Sequence, residues 1–329
     1  MAETTASIEQ PIELGGKRSA RVAVGRAELE AARAKAVRLQ SEYAFDLAMA
    51  YAEAEASERR LQLASEASTL AREDLRIATA LVEAGREADL RRVQAQAALQ
   101  AARAGAEEAR AARATAFSNL TALVGAPAPI TSIPVSLLAR VDQAAPVTAP
   151  DPLASPAYVT AQAEREAAAR RVRVERIRAV PDVTASVGVR RFGGEDATAI
   201  VAGVSVPFPI FDRNRGNISA AQAELSAAEA RLNAARLDAE AAVRSGSTRL
   251  TAAEARLLAA REGERAAEEA YRLTRIGYEG GKLALLELLN AQRTLTEARA
   301  QTLDAAIERL SARAGLARLT GATPFGDLR

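Results

Sequence analysis

Residues 182–206 read DVTASVGVRRFGGEDATAIVAGVSV, and the fold follows from how they alternate. Val183, Ala185, Val187 and Val189 fall on one face, and Thr184, Ser186, Gly188 and Arg190 on the other. Gly193-Gly194-Glu195-Asp196 supplies a turn. From Thr198 the alternation resumes, with Ile200, Ala202, Val204 and Val206 on one face. The pattern predicts a β-hairpin. Its strands have the length, about 9–11 residues, that crosses a bilayer when tilted in a barrel. A third strand is expected from Thr4 to Leu14, with Thr4, Ala6 and Ile8 opposite in sense to Thr5, Ser7 and Glu9. Pro11 confines it to an edge or a strand end. Three such strands can neither close a barrel nor cover their own edges alone.

The strands interrupt very long helical stretches. Gly15-Gly16 breaks the chain, and from Lys17 to about Val82 there is no proline and one glycine, Gly25. Ala, Glu, Arg, Leu and Gln dominate this run, all strong helix formers. At 1.5 Å per residue such a helix is roughly 100 Å long and needs a coiled-coil or bundle partner. A turn at Glu83 to Arg86 and a returning helix from about Glu87 to Val124 are expected. Gly125 to Pro152 reads as a linker holding Pro127, Pro129, Pro134, Pro146, Pro150 and Pro152. Ser155-Pro156 is an N-cap and N1 pair for a helix to about Ala179. After the hairpin, helices resume near Asn217, run to Gly277, turn at Glu279 to Lys282 and continue to Gly315.

The two halves answer each other at an offset of 196 residues. Pro11 maps to Pro207, Arg76 to Arg272, Glu83 to Glu279 and Gly85 to Gly281. Leu90 maps to Leu286, Gln96 to Gln292, and Leu120, Leu123 and Gly125 to Leu316, Leu319 and Gly321. The division expected is a first repeat over 1–125, a Pro-rich linker over 126–155, a second repeat over 156–322 and a tail over 323–329. The helix from about Pro156 to Ala179 and the strand from about Asp182 would have their counterparts, 196 residues earlier, before residue 1. The expectation is therefore an N-terminally shortened first repeat, with a strand, helix and secretion signal encoded upstream.

Composition narrows the function. Hydrophobic residues make up 49% of the 329, but aromatics only 3%, so alanine must form most of the packing. Lys and Arg (44) nearly cancel Asp and Glu (42), which gives no drive towards nucleic acid. Cys and His are absent. That removes the usual neutral-pH base and the soft metal ligands, so neither an enzyme nor a bound metal or other cofactor is expected. No run of about 18 apolar residues suggests a membrane-spanning helix.

Strand, Pro-containing exit, long helix, glycine tip, returning helix and Pro-rich linker, twice over, resemble the TolC outer-membrane factor family. Residues 10–18, QPIELGGKR, look like the strand-to-helix junction of its heavy-metal, CzcC/CusC-like branch. Residues 206–216, VPFPIFDRNRG, are similar to the family's second junction, and 278–282, YEGGK, followed by 285–293, LLELLNAQR, to its helix tip and returning helix. The resemblance implies a mainly α protomer with a small β part. Long antiparallel coiled-coil helices would carry strands that join a trimeric 12-stranded transmembrane barrel. It implies a homotrimer in outer-membrane lipid, with a periplasmic helical tunnel, a periplasmic adaptor protein and an inner-membrane RND pump as partners. The channel would be a passive conduit for metal cations or small toxic compounds.

On this reading the junctions are Pro11, Gly15, Gly16, Pro207 and Pro209. Val183, Val187, Val189, Ile200, Val204 and Val206 are expected to face lipid; the core of a soluble sandwich would use the same set. The tips Glu83, Gly85 and Arg86, and Glu279, Gly280, Gly281 and Lys282, dock the adaptor; a plain helix–helix turn would use the same glycines. Glu287 and Asn290 are implied gate residues, with Arg91 at the position matching Glu287 in the first repeat. Rival readings are a structural or adaptor coiled-coil protein, an amphipathic membrane-surface protein, and a non-functional remnant.

Overall fold

The computed structural model describes residues 3–143, 150–193, 197–208 and 212–321. Three strands, β1 (Glu3–Ile12), β2 (Val183–Phe192) and β3 (Ala197–Ser205), form one antiparallel sheet in the order β1-β2-β3. The helices are α1 (Lys17–Glu83), α2 (Asp89–Val124), α3 (Leu137–Gln143), α4 (Pro156–Arg178), α5 (Arg215–Glu279) and α6 (Leu285–Thr320).

Two compact units divide the chain, and each draws on both halves of the sequence. The first comprises Met1–Leu39 and Pro152–Glu240. It holds the sheet, α4 and the opening parts of α1 and α5. Its helical seam is almost wholly alanine: Ala20, Ala167, Ala168, Ala221, Ala228 and Ala239 are buried, with Val172. Ser155 caps α4, accepting from the Tyr158 N–H at 3.3 Å with Pro156 at the first helical position. Arg171–Glu28 (2.7 Å) and Arg165–Glu229 (3.0 Å) join α4 to α1 and to α5.

The second unit comprises Gln40–Asp151 and Ala241–Arg329. Ala52, Ala54, Ala56 and Ala78 are fully buried there, and leucines enter at intervals, notably Leu120, Leu285 and Leu310. Alanine knobs let backbones approach closely but bury little area each, at about 25 cal/mol per Å².

Three local expectations change. α6 runs through Gly315 to Thr320; one glycine among strong helix formers costs only about 1 kcal/mol and does not stop a helix. The stop is Gly321, at φ 68°. α5 likewise continues through Gly277 to Glu279. The linker carries the short helix α3, strapped to the bundle. Glu55, buried in α1, accepts from the Leu137 and Leu138 N–H groups at 2.8 and 3.3 Å and from the Ser136 hydroxyl. Tyr51 donates to the Val135 carbonyl (2.7 Å), and Arg113 to Thr131 (2.6 Å). The prolines mask α3 in the sequence: Ser136 caps it locally, accepting from the Ala139 N–H at 3.0 Å, but the carboxylate that holds its first amides comes from a helix some 80 residues away. Pro146, Pro209, the turn residues 194–196 and the tail 323–329 lie outside the described residues.

Candidate membrane sheet and helix tips

The sheet's register sorts its residues into two faces. Ile8 pairs with Val187 and Val187 with Ala202, while Ala6, Val189 and Ile200 line up across the three strands. Together with Ile12, Val183, Ala185 and Val204 they form one mainly apolar face, on which Gln10 is the polar member of the Ala185–Val204 row and Thr4, Arg191 and Thr198 make a polar row at the turn end. Among the described residues nothing covers this face: Ile8 is 76%, Ile200 82% and Val204 73% exposed. Val187, Val189 and Val206 are exposed as well, and Val183 is half-buried. The opposite face carries Thr5, Ser7, Glu9, Thr184, Ser186, Arg190 and Ser205, with Val201 its one large aliphatic residue. Arg190 donates to the Thr5 hydroxyl at 3.2 Å.

Gly188 sets the closeness of β1 and β2. A Cβ there would lie 2.7 Å from the Ala6 carbonyl oxygen. β1, which contains Pro11, is an edge strand, and the far side of β3 is the other edge. Among the described residues neither edge has a partner strand.

Strand β1 enters α1 through Gly15 and Gly16, both left-handed at φ 69° and 78°. Asp182, just before β2, ties this junction together. It accepts from the Leu14 N–H at 3.1 Å and pairs with Lys17 at 2.8 Å, and these bonds hold its carboxyl below the usual range. Glu13 grips Arg21 through two bonds of 2.8 and 2.9 Å. At the second junction Pro207 is followed by Phe208, 85% exposed. Asn214, at φ 56°, opens α5: its amide donates to the Glu175 carbonyl and carboxylate at 2.8 and 2.9 Å. The Asp182 clasp involves partners 168 residues apart, and no local sequence signal announces it.

The two tips have the same backbone. At the first, Gly85 donates to Val82 (2.9 Å) and Arg86 to Leu81 (2.9 Å). At the second, Gly281 donates to Tyr278 (2.9 Å) and Lys282 to Gly277 (2.8 Å). This is the paired Schellman closure, and each acceptor and donor recurs 196 positions on. Of the Gly280-Gly281 pair, only Gly281 takes positive φ. Glu83, Arg86, Glu279 and Lys282 are exposed; Glu279 pairs with Arg275 at 2.9 Å.

Glu287 and Asn290 lie exposed in the opening turns of α6, while Leu285 and Leu288 in the same turns are buried. Arg91, the position matching Glu287, pairs with Glu87 at 3.7 Å and donates to Gln94 at 3.2 Å. Among the described residues no group of three or more His, Cys, Asp or Glu is placed to hold a metal, and no helix is long and apolar enough to cross a membrane.

The chain is similar to known proteins. The family model described as "Outer membrane efflux protein" matches residues 1–126 and 153–322. The nickel-cobalt-cadmium resistance protein NccC of Alcaligenes xylosoxydans xylosoxydans is 45% identical over 221 residues, 67% of this chain and 50% of NccC. The chain thus spans about half the length of that relative. The cobalt-zinc-cadmium resistance protein CzcC of Cupriavidus metallidurans is 30% identical over 304 residues, 90% of this chain and 72% of CzcC. In fold, the solved outer membrane protein VceC of Vibrio cholerae superposes with a TM-score of 0.76 over 97% of this chain and 79% of VceC, at 22% identity.

Proposed function

The chain belongs to the outer membrane efflux protein family, and on that premise we propose that it is a channel subunit passing metal cations out through the outer membrane. The observation that carries the reading is the sheet. It has one apolar face exposed, one polar face exposed and both edges open. In water such a ribbon invites aggregation. In a bilayer it is stable only within a closed barrel, where neighbouring chains satisfy the edges, lipid covers the apolar face and water fills the polar side. Three chains that join their strands in one closed barrel meet that demand; a 12-stranded barrel takes four strands from each chain, one more than the three described here.

The relatives' resistances to nickel, cobalt, zinc and cadmium support metal cations as cargo. The chain has no Cys or His. Hydrated cations would therefore pass without strong coordination, and no covalent chemistry is needed. The exposed Glu287 carboxylates, three per trimer near one axis, would favour cations at the inner mouth, with Asn290 one turn further. The tips Gly85 and Gly281 would dock a periplasmic adaptor that couples the channel to an inner-membrane pump. Opening would be a repacking of helix hairpins, and alanine seams make that repacking less costly than leucine seams would.

The test uses the full chain in detergent and in liposomes. A trimer that conducts Co²⁺ or Zn²⁺ across the bilayer is the expected result. A monomer that leaves the liposomes impermeable would overturn the reading.

A further inference from the structure

Asp74 is the anomaly of the helical bundle. It stands in α1, nine residues before the helix ends at Glu83, and is only 7% exposed. Its Oδ2 has no hydrogen-bond partner, and neither has the buried hydroxyl of Tyr278. Both belong to the tip end of the second unit. There Ala78, Ala95, Leu285 and Leu288 are buried, packed by Leu75, Tyr271, Tyr278 and Leu289.

Among the described residues, the cations placed around this site, Arg275 and Arg299, are already engaged with other carboxylates. The charge beside it in α1 is Glu73, itself bonded to Arg76. From α5 it faces Tyr271 and Tyr278, both of which feel its charge. Around those rings lie Arg275 and Glu279 of α5, Arg299 of α6 and Glu87 of the first tip. Arg275 is paired to Glu279, and Arg299 is shared among Glu66, Glu264 and Glu268. The position 196 residues on is Ala270. Alanine thus serves the equivalent place in the other long helix, so helix packing does not require an acid here.

We propose that Asp74 is a proton-sensitive latch on the tip seam: protonated, it lets α1 pack shut against α5 and α6, and ionised, it loosens them. Leaving a buried carboxylate charged and unpaired opposes packing. Burial, and then Glu73, push the Asp74 carboxyl up to about 6 from its ordinary 3.8. The packed seam therefore holds a proton that the opened seam releases. Its extra stability is complete below the ordinary value and is lost as pH rises through about 6. The proposal rests on the channel reading only for its consequence, a tighter entrance in acid. The latch itself is a property of the bundle.

Hydrogen exchange of the full chain in detergent tests it. Corrected for intrinsic rates, exchange in peptides covering 70–88 and 271–290 should speed up about tenfold from pH 5 to pH 7.5, while peptides over 160–172 should not. Asp74→Asn should make the tip peptides slow and flat across that range. Asp74→Ala, the residue borne at position 270, should do the same. A flat wild type, or a slope that survives either substitution, overturns the latch. If neither variant folds, the wild-type slope decides alone. A pH-dependent tip in a chain that conducts no ions would keep the latch and remove the channel reading; a conducting channel with a flat tip would do the reverse.

Discussion

Gly85 and Gly281 hold the same backbone angle, φ 68°, in turns 196 residues apart, each closed by the same two capping bonds. Neither has any atom within 4 Å of where a Cβ would sit. A side chain at either would suffer backbone strain and no clash. Gly281→Ala should destabilise the bundle by about 1–2 kcal/mol, and Gly281→Asn by less, since Asn tolerates the left-handed region. Denaturant unfolding of both variants checks this; equal stability of Ala, Asn and Gly would contradict it.

The sheet glycines should behave differently from each other. At Gly188 a Cβ meets the Ala6 carbonyl at 2.7 Å and Ser7 Cα at 3.0 Å, backbone atoms that cannot step aside. At Gly203 it meets only the Ser186 hydroxyl, at 3.0 Å, and that group can rotate. Gly188→Ala should therefore separate β1 from β2 and prevent stable assembly. Gly203→Ala should assemble normally. Oligomer yield after detergent extraction reads the difference.

Such contrasts show what the sequence exposes and what it hides. The period-2 run from Val183 and the proline-free run from Lys17 display strands and helices directly, because one face of each pattern must be apolar. The tips were legible through Gly85 and Gly281. The α3 strap was not, since Glu55 lies 82 residues from Leu137 and looks like any helix-surface glutamate. Asp74 was hidden for the same reason: in an alanine-rich coiled coil, one acid among many gives no sign of which face it occupies. The end of α6 was misplaced at Gly315 because a glycine stops a helix only where the chain turns left-handed, as at Gly321.

Removing the Glu55 carboxylate should free that strap. Three donors, the Ser136 hydroxyl and the Leu137 and Leu138 amides, lose one shared acceptor. Glu55→Ala should cost about 3 kcal/mol, given 1.5–3 kcal/mol for each hydrogen bond to a charged group less what water recovers. It should also admit a protease between residues 126 and 136. An unchanged unfolding midpoint and an unchanged digestion pattern would show the strap to be idle.

The junction and the tip should respond to acid in opposite senses. Lys17 and the Leu14 N–H hold the Asp182 carboxyl below its ordinary 3.8. The clasp is therefore present above that value and is lost only as pH falls past it, through the lowered pKa. The Asp74 seam instead weakens as pH rises through about 6. Asp182→Asn should abolish the acid-induced loosening of residues 13–21, followed by hydrogen exchange. Persistence of that loosening would remove Asp182 from the account.

The central claim, that the apolar face of the sheet lies against lipid, can be read residue by residue, because the chain has no cysteine of its own. Single cysteines placed one at a time from Ala199 to Val204 would carry an environment-sensitive dye in reconstituted membranes. Quenchers on the lipid chains should darken positions 200, 202 and 204, and aqueous iodide positions 199, 201 and 203. Loss of that two-residue period, or quenching by iodide at every position, would contradict the account.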